Sequence, residues 1–283
     1  MYKDEHLMEI LGKTPVKIRE GKIVEVGEPL IRYCPLFNKL HGIKEINKEE
    51  VVKNVEYKMK SFGMFTKNRA IYDEKNYATF GITEILSSCL RRKFLDAAVI
   101  VTDCAGSIIA SDPKLVQGLG GRVSGIIKTS PIPEVIEKIE RAGGVVINRD
   151  DAEINQVKGV KIAISKGFRR IGVTLTSPED AKICKRFEDA NVKILTIAVH
   201  TTGVSWSREE LLHFDLVTLC ASKTLRENLV GIAKAQAGKK IPIIATSDFG
   251  KEALLERARD LDRFLLTLEE IPVCDPEEPY PLV

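Results

Sequence analysis

Ile171-Gly172-Val173-Thr174-Leu175-Thr176-Ser177 leads into an amphipathic stretch over residues 178–190 and then into Ile194-Leu195-Thr196-Ile197-Ala198-Val199. A β-branched apolar run, a small polar cluster, a helical pattern and a second apolar run make one βαβ unit, because parallel strands need a crossover that returns over the sheet. The beat continues outward in both directions. Ala97-Ala98-Val99-Ile100-Val101, Val145-Val146-Ile147, Leu216-Val217-Thr218-Leu219 and Ile241-Pro242-Ile243-Ile244-Ala245 are further apolar runs. Helical patterns are predicted over 151–166, 207–214, 223–237 and 250–261. The expected class is α/β, with a Rossmann-like, mostly parallel sheet and helices on both faces. Ligands of such sheets sit beyond the carboxyl ends of the strands, so those ends are where function is sought.

Upstream of Asp96 the rhythm stops. Residues 16–26 alternate apolar and polar on either side of Glu20-Gly21, which predicts a β-hairpin. Asn47-Lys48-Glu49-Glu50 reads as a helix cap with an acidic first turn, leading into Val51, Val52, Val55 and Met59 and ending near Gly63. A second helix is predicted over 83–93. The expected organisation has three parts: an N-terminal α+β cap over residues 1–95, a Rossmann-like α/β domain over 96–271, and a proline-rich extended tail over 272–283.

Forty-three basic and 40 acidic residues leave a net charge of +3, and the charges are interspersed. Without a polybasic block, neither nucleic acid nor an anionic membrane is expected as a partner. No signal peptide and no apolar run of about 18 residues is present, so a cytoplasmic protein is expected. The six cysteines, Cys34, Cys89, Cys104, Cys184, Cys220 and Cys274, stand singly. That excludes local zinc-ribbon and ferredoxin spacings. Cys89 and Cys184 fall in helical apolar patterns and read as packing.

The strand ends supply the candidates. Gly118-x-Gly120-Gly121-Arg122-x-Ser124-Gly125 is flexible, cationic and rich in backbone donors, as an anion cradle requires, although it fits neither nucleotide fingerprint. His200 ends an apolar run beside Thr201 and Thr202 and can move a proton. Cys220 and Cys104 occupy matching strand ends and could give a Cys/His constellation with His200, supplying a thiolate. Asp103 can take a hydroxyl, a cation or an amine, whereas strand-end aspartates also simply cap turns. In the leading reading Gly118, Gly120, Gly121, Arg122 and Ser124 hold a small anion, which Thr201, Thr202, Ser222 and Lys223 orient. In the alternative, Cys34, Cys104 and Cys220, with His200, converge as ligands for a metal or iron–sulfur group. No cofactor is specified by either.

Tyr33-Cys34-Pro35-Leu36-Phe37, Phe80-Gly81-Ile82-Thr83-Glu84, the glycine-rich segment from Val116 to Gly125, Thr129-Ser130-Pro131-Ile132-Pro133, Val199-His200-Thr201-Thr202-Gly203 and Cys220-Ala221-Ser222-Lys223 together resemble the methanogenesis marker protein 8 family of archaea. The resemblance spans about residues 33–223. It implies a methanogen or a relative, an anaerobic cytosol, and a link to the methyl-coenzyme M reductase system as ligand-handling accessory or assembly partner. It carries over no catalytic residue.

Overall fold

The structure, a computed structural model, describes residues 4–75, 77–238, 240–262, 279 and 281–283. Most of the expected proline-rich tail therefore lies outside the described residues. In chain order the elements begin β1 (Glu5–Ile10), β2 (Thr14–Arg19), β3 (Lys22–Val26), α1 (Pro35–His41), α2 (Lys48–Phe62), α3 (Ile82–Arg91), β4 (Ala97–Thr102), β5 (Gly106–Ala110), α4 (Pro113–Gly120), β6 (Gly125–Lys128) and α5 (Pro133–Arg141). They continue β7 (Val145–Val146), α6 (Gln156–Ser165), β8 (Arg170–Leu175), α7 (Pro178–Lys185), β9 (Lys193–Ala198), α8 (Arg208–Leu211), β10 (Leu216–Thr218), α9 (Lys223–Leu229), β11 (Ala235–Ala237), β12 (Ile243–Ala245) and α10 (Asp248–Ala258).

The class is mixed α/β, with two sheets. The larger has the order β11-β12-β10-β9-β8-β4-β5-β7. Its central strands β10, β9, β8 and β4 are parallel, as the βαβ rhythm requires. Both flanks are antiparallel, through β12 and β11 on one side and β5 and β7 on the other. The departure from a mostly parallel sheet has a local cause. After β4 the chain turns back at once, with Cys104 at φ 68° and Gly106 at φ 71°. A Cβ at Gly106 would lie 2.1 Å from the Ala152 carbonyl oxygen, so the turn and the close approach both require glycine. What reads as a polar strand end is thus a hairpin.

Alternate side chains of the central strands feed two cores. Ile100, Leu195 and Ile197 pack under α3, α4, α5 and α10 through Leu86, Leu115, Ile136 and Leu254. Val99, Ile194 and Val217 pack under α6 to α9 through Val160, Ala181, Leu211 and Leu229. The helix predicted over 223–237 stops at Leu229, because Gly231 takes φ 86° and the next residues extend as β11.

The smaller sheet has the order β3-β2-β1-β6. Its hairpin partner strands β2 and β3 match the alternation around Glu20-Gly21. β6 comes from the middle of the chain and pairs Gly125 with Glu9. The long segment between Val101 and Val145 is therefore a return strand, two helices and this crossing strand. α2 starts at the Asn47 cap, whose side chain accepts from the Glu50 N–H at 2.9 Å. It buries Val51 and Val55 against Met8, Ile10 and Val16. Among the described residues no helix is long and apolar enough to cross a membrane.

Candidate functional site

A cavity of about 610 Å³ lies over the carboxyl ends of β8, β9 and β10, facing β1, α1 and α2. That is the size of a small-molecule pocket. Its walls bring together Gly120, Gly121, Arg122, Ser124, His200, Thr202, Cys220 and Cys34 from distant parts of the chain. Gly118, Asp103, Cys104, Thr201, Ser222 and Lys223 do not line it.

His200 takes the left-handed conformation, φ 60°, two residues after β9 ends. Its ring sits against Gly125, where a Cβ would lie 2.6 Å from Nε2. That nitrogen meets Glu9 Oε2 at 2.6 Å. The bond to His200 holds the Glu9 carboxyl below its ordinary value despite burial. The pair joins the two sheets at the cavity rim and can exchange a proton with a bound molecule. Lys13, also on the wall, donates to the Thr202 carbonyl at 3.0 Å.

Thr201 is turned to structure: its hydroxyl donates to the Thr218 carbonyl and accepts from the Cys220 N–H at 3.2 Å. Ser222 caps α9, accepting from the Leu225 N–H at 3.1 Å and donating to the Val204 carbonyl at 2.6 Å. Lys223 is exposed beside Glu227. Burial raises the Cys220 thiol above its ordinary value, although the Thr201 and Thr202 hydroxyls and Arg226 oppose it. Burial pushes Cys34 up to about 11. Both are thiols near neutral pH, not the thiolate the sequence suggests.

Asp103 and Cys104 belong to a closed interior. Asp103 accepts from Arg69 Nε at 2.9 Å, the Phe65 N–H at 2.8 Å and the Cys104 thiol at 3.5 Å. Burial would raise this carboxyl, but Arg69 and these donors hold it low. The Cys104 N–H donates to Thr129 Oγ1, which also meets buried His6. The expected Cys104–His200 meeting is therefore not made at the cavity. Among the described residues no three His, Cys, Asp or Glu side chains are grouped to hold a metal ion, and Cys104 does not share the cavity wall with Cys34 and Cys220.

The glycine-rich segment starts as the last turn of α4, turns at Gly121 and Arg122 and enters β6 at Gly125. Gly118 and Gly120 end α4. A Cβ at Gly118 would lie 2.2 Å from the Ile71 carbonyl oxygen, and one at Gly120 2.6 Å from the Thr83 methyl. These glycines allow close packing. Gly121 follows, its N–H on the Gln117 carbonyl at 3.0 Å.

Arg122 is the cationic centre of the wall. Its guanidinium lies 3.6 Å from the centre of the Phe62 ring. Nε donates to Tyr77 Oη at 3.2 Å, and Nη2 pairs with Asp73. Nη1 is buried and has no hydrogen-bond partner among the described residues. Beside it Lys58 of α2, only 8% exposed, donates to the Arg122 carbonyl at 2.6 Å. Burial, with Arg69 and Arg122 nearby and Asp103 opposing, lowers Lys58 to about 8. Sequence reasoning missed Lys58 and Glu9. A signal for Lys58 exists: it falls on the face of α2 that carries Val51, Val55 and Phe62, where an apolar residue is expected.

The model of a family described as uncharacterized proteins conserved in archaea, DUF2099, matches residues 6–259. An uncharacterized protein of Methanocaldococcus jannaschii is 58% identical over 280 residues, which is 99% of this chain and 100% of that relative.

Proposed function

The chain belongs to this archaeal DUF2099 family, and from that premise we propose that it binds a small anionic molecule with an apolar body in the cavity over the strand ends. One observation carries the reading: Arg122 lines the cavity, and its buried Nη1 has no hydrogen-bond partner among the described residues. A buried donor left unsatisfied costs about 1–3 kcal/mol, and more when charged. An anionic group on the ligand would remove that cost, with the Lys58 ammonium beside it. Phe37, Phe62, Phe80 and Ile10 on the same wall would hold the hydrocarbon part. The His200–Glu9 pair would move a proton at the rim, and Thr202 and Ser124 would orient the ligand there. The cavity's place at the ends of parallel strands suits a Rossmann-like mode of binding.

The wider setting follows from the resemblance: an archaeal cytoplasmic protein tied to methane formation, handling a ligand or cofactor for the methyl-coenzyme M reductase system. The metal and iron–sulfur alternative is disfavoured by the separation of Cys104 from the cavity-lining thiols.

Anilinonaphthalene sulfonate, an aromatic body carrying one anionic group, tests the site by fluorescence titration. Replacing Arg122→Met is expected to weaken binding roughly 10–100-fold, the worth of a charge-assisted hydrogen bond. Uncharged anilinonaphthalene should bind both proteins alike. Equal sulfonate affinity in the two proteins contradicts the reading.

A further inference from the structure

Lys58 is unusual for a buried lysine. Among the described residues it has no carboxylate at ion-pair distance, and its one hydrogen bond runs to a main-chain carbonyl, that of Arg122. The acidic group that acts on it, Asp103, is already bound by Arg69, the Phe65 N–H and Cys104. Arg69 and Arg122 add two positive charges nearby. Buried ammonium groups ordinarily have a carboxylate partner. Desolvation and neighbouring cations are the two devices that leave a lysine as a free amine, and hence a nucleophile. Here both act on a lysine that lines a cavity with apolar walls. With the amine at about 8, roughly a tenth of it is neutral at pH 7.

We propose that Lys58 is the amine of a carbonyl-binding site, forming a Schiff base with a 2-oxo carboxylate whose anionic group rests on Arg122; this rests on the anion-binding reading above. The Nζ lone pair attacks the carbonyl carbon and forms the C–N bond. The C=O π pair moves to oxygen, which takes up the proton lost from nitrogen. The resulting hydroxyl takes up the second proton of the nitrogen and leaves as water while the C=N bond forms. Amine and carbonyl become imine and water, nothing is oxidised or reduced, and hydrolysis restores the lysine. Arg122 supplies the geometry by fixing the carboxylate next to the amine, which makes the attack effectively unimolecular.

The test is reductive trapping on the full chain. The protein is incubated with pyruvate, or with acetaldehyde as an uncharged carbonyl, and then treated with sodium borohydride, whose hydride converts any imine into a stable secondary amine. Peptide mass spectrometry locates the adduct. Pyruvate is expected to label the Lys58 peptide at least roughly tenfold above any surface lysine, and anilinonaphthalene sulfonate should block that labelling. Lys58→Arg should abolish it, since a guanidinium forms no imine under these conditions. Arg122→Met should cut pyruvate labelling roughly tenfold or more, the worth of a charge-assisted hydrogen bond, and lower acetaldehyde labelling by clearly less. The wild-type labelling alone remains a valid readout if a variant fails to fold. Pyruvate adducts spread over surface lysines, or none on Lys58 in protein that binds the sulfonate, overturn the imine and leave the anion site standing. Loss of sulfonate binding as well overturns both.

Discussion

Arg69 and Arg122 are two guanidiniums anchored around the end of one helix, and the chain treats them oppositely. Arg69 is fully buried with every nitrogen engaged: Nε on Asp103 at 2.9 Å, Nη1 on the Ala70 and Gly118 carbonyls, Nη2 on the Leu119 carbonyl at 3.3 Å. Arg122 stacks on Phe62 and pairs with Asp73, yet its Nη1 has no hydrogen-bond partner among the described residues. The first does not line the cavity and the second does. Charge type does not separate the closed site from the proposed binding site here. The count of partners does.

The largest effect should fall on the closed site. Asp103→Asn leaves Arg69 buried without its counter-charge and is expected to cost about 3–5 kcal/mol of folding stability by urea denaturation. The folded fraction should bind the sulfonate as before. A loss below about 1 kcal/mol would break the contrast. Next comes Gly118→Ala, whose added Cβ meets backbone at Ile71 and is expected to cost about 1–3 kcal/mol or more. Gly120→Ala meets the movable end of Thr83 and should cost less. Weaker sulfonate binding at unchanged stability in either variant would restore the cradle reading.

On the open side, Arg122→Met should lower stability by only about 1–2 kcal/mol while removing most of the sulfonate affinity. A larger fall in urea stability than for Asp103→Asn would reverse the comparison. The smallest effect is on pH dependence. Buried His6 titrates below its ordinary 6.5, chiefly from burial. Above that pH both folded and unfolded forms are neutral. As pH falls below it the unfolded chain takes the proton first, so stability declines from about pH 6.5 downward, by at most about 1.4 kcal/mol per pH unit. Asp103, also depressed, adds its own loss only below about pH 4. A flat urea midpoint between pH 7 and pH 5 would contradict the His6 assignment.

The central strands could be read because β-branched runs such as Ile171–Leu175 and Ile194–Val199 are continuous and spaced by helical patterns. β5, β6 and β11 could not. Gly106-Ser107-Ile108-Ile109-Ala110 follows β4 with no helix between, and its direction is set by the Cys104–Gly106 turn and by Ala152 packing against it. At the site, Arg122, His200 and Cys220 were legible because strand ends and their loops converge on one side of a sheet. Glu9 and Lys58 were not, since Lys58 reaches the cavity from α2 and Glu9 meets cavity-lining His200 from β1. Asp103 and Cys104 look equivalent to His200 and Cys220 in the chain. Only the burial of the former pair beneath Phe65, Arg69 and Thr129 tells them apart.

The most direct measurement is a crystal structure of the protein soaked in sodium bromide, with data collected at the bromine absorption edge. An anion site made by Arg122 and Lys58 predicts an anomalous peak within hydrogen-bond distance of Arg122 Nη1 and none against Arg69. Bromide found only at surface lysines, with Arg122 Nη1 facing nothing but protein, would contradict it.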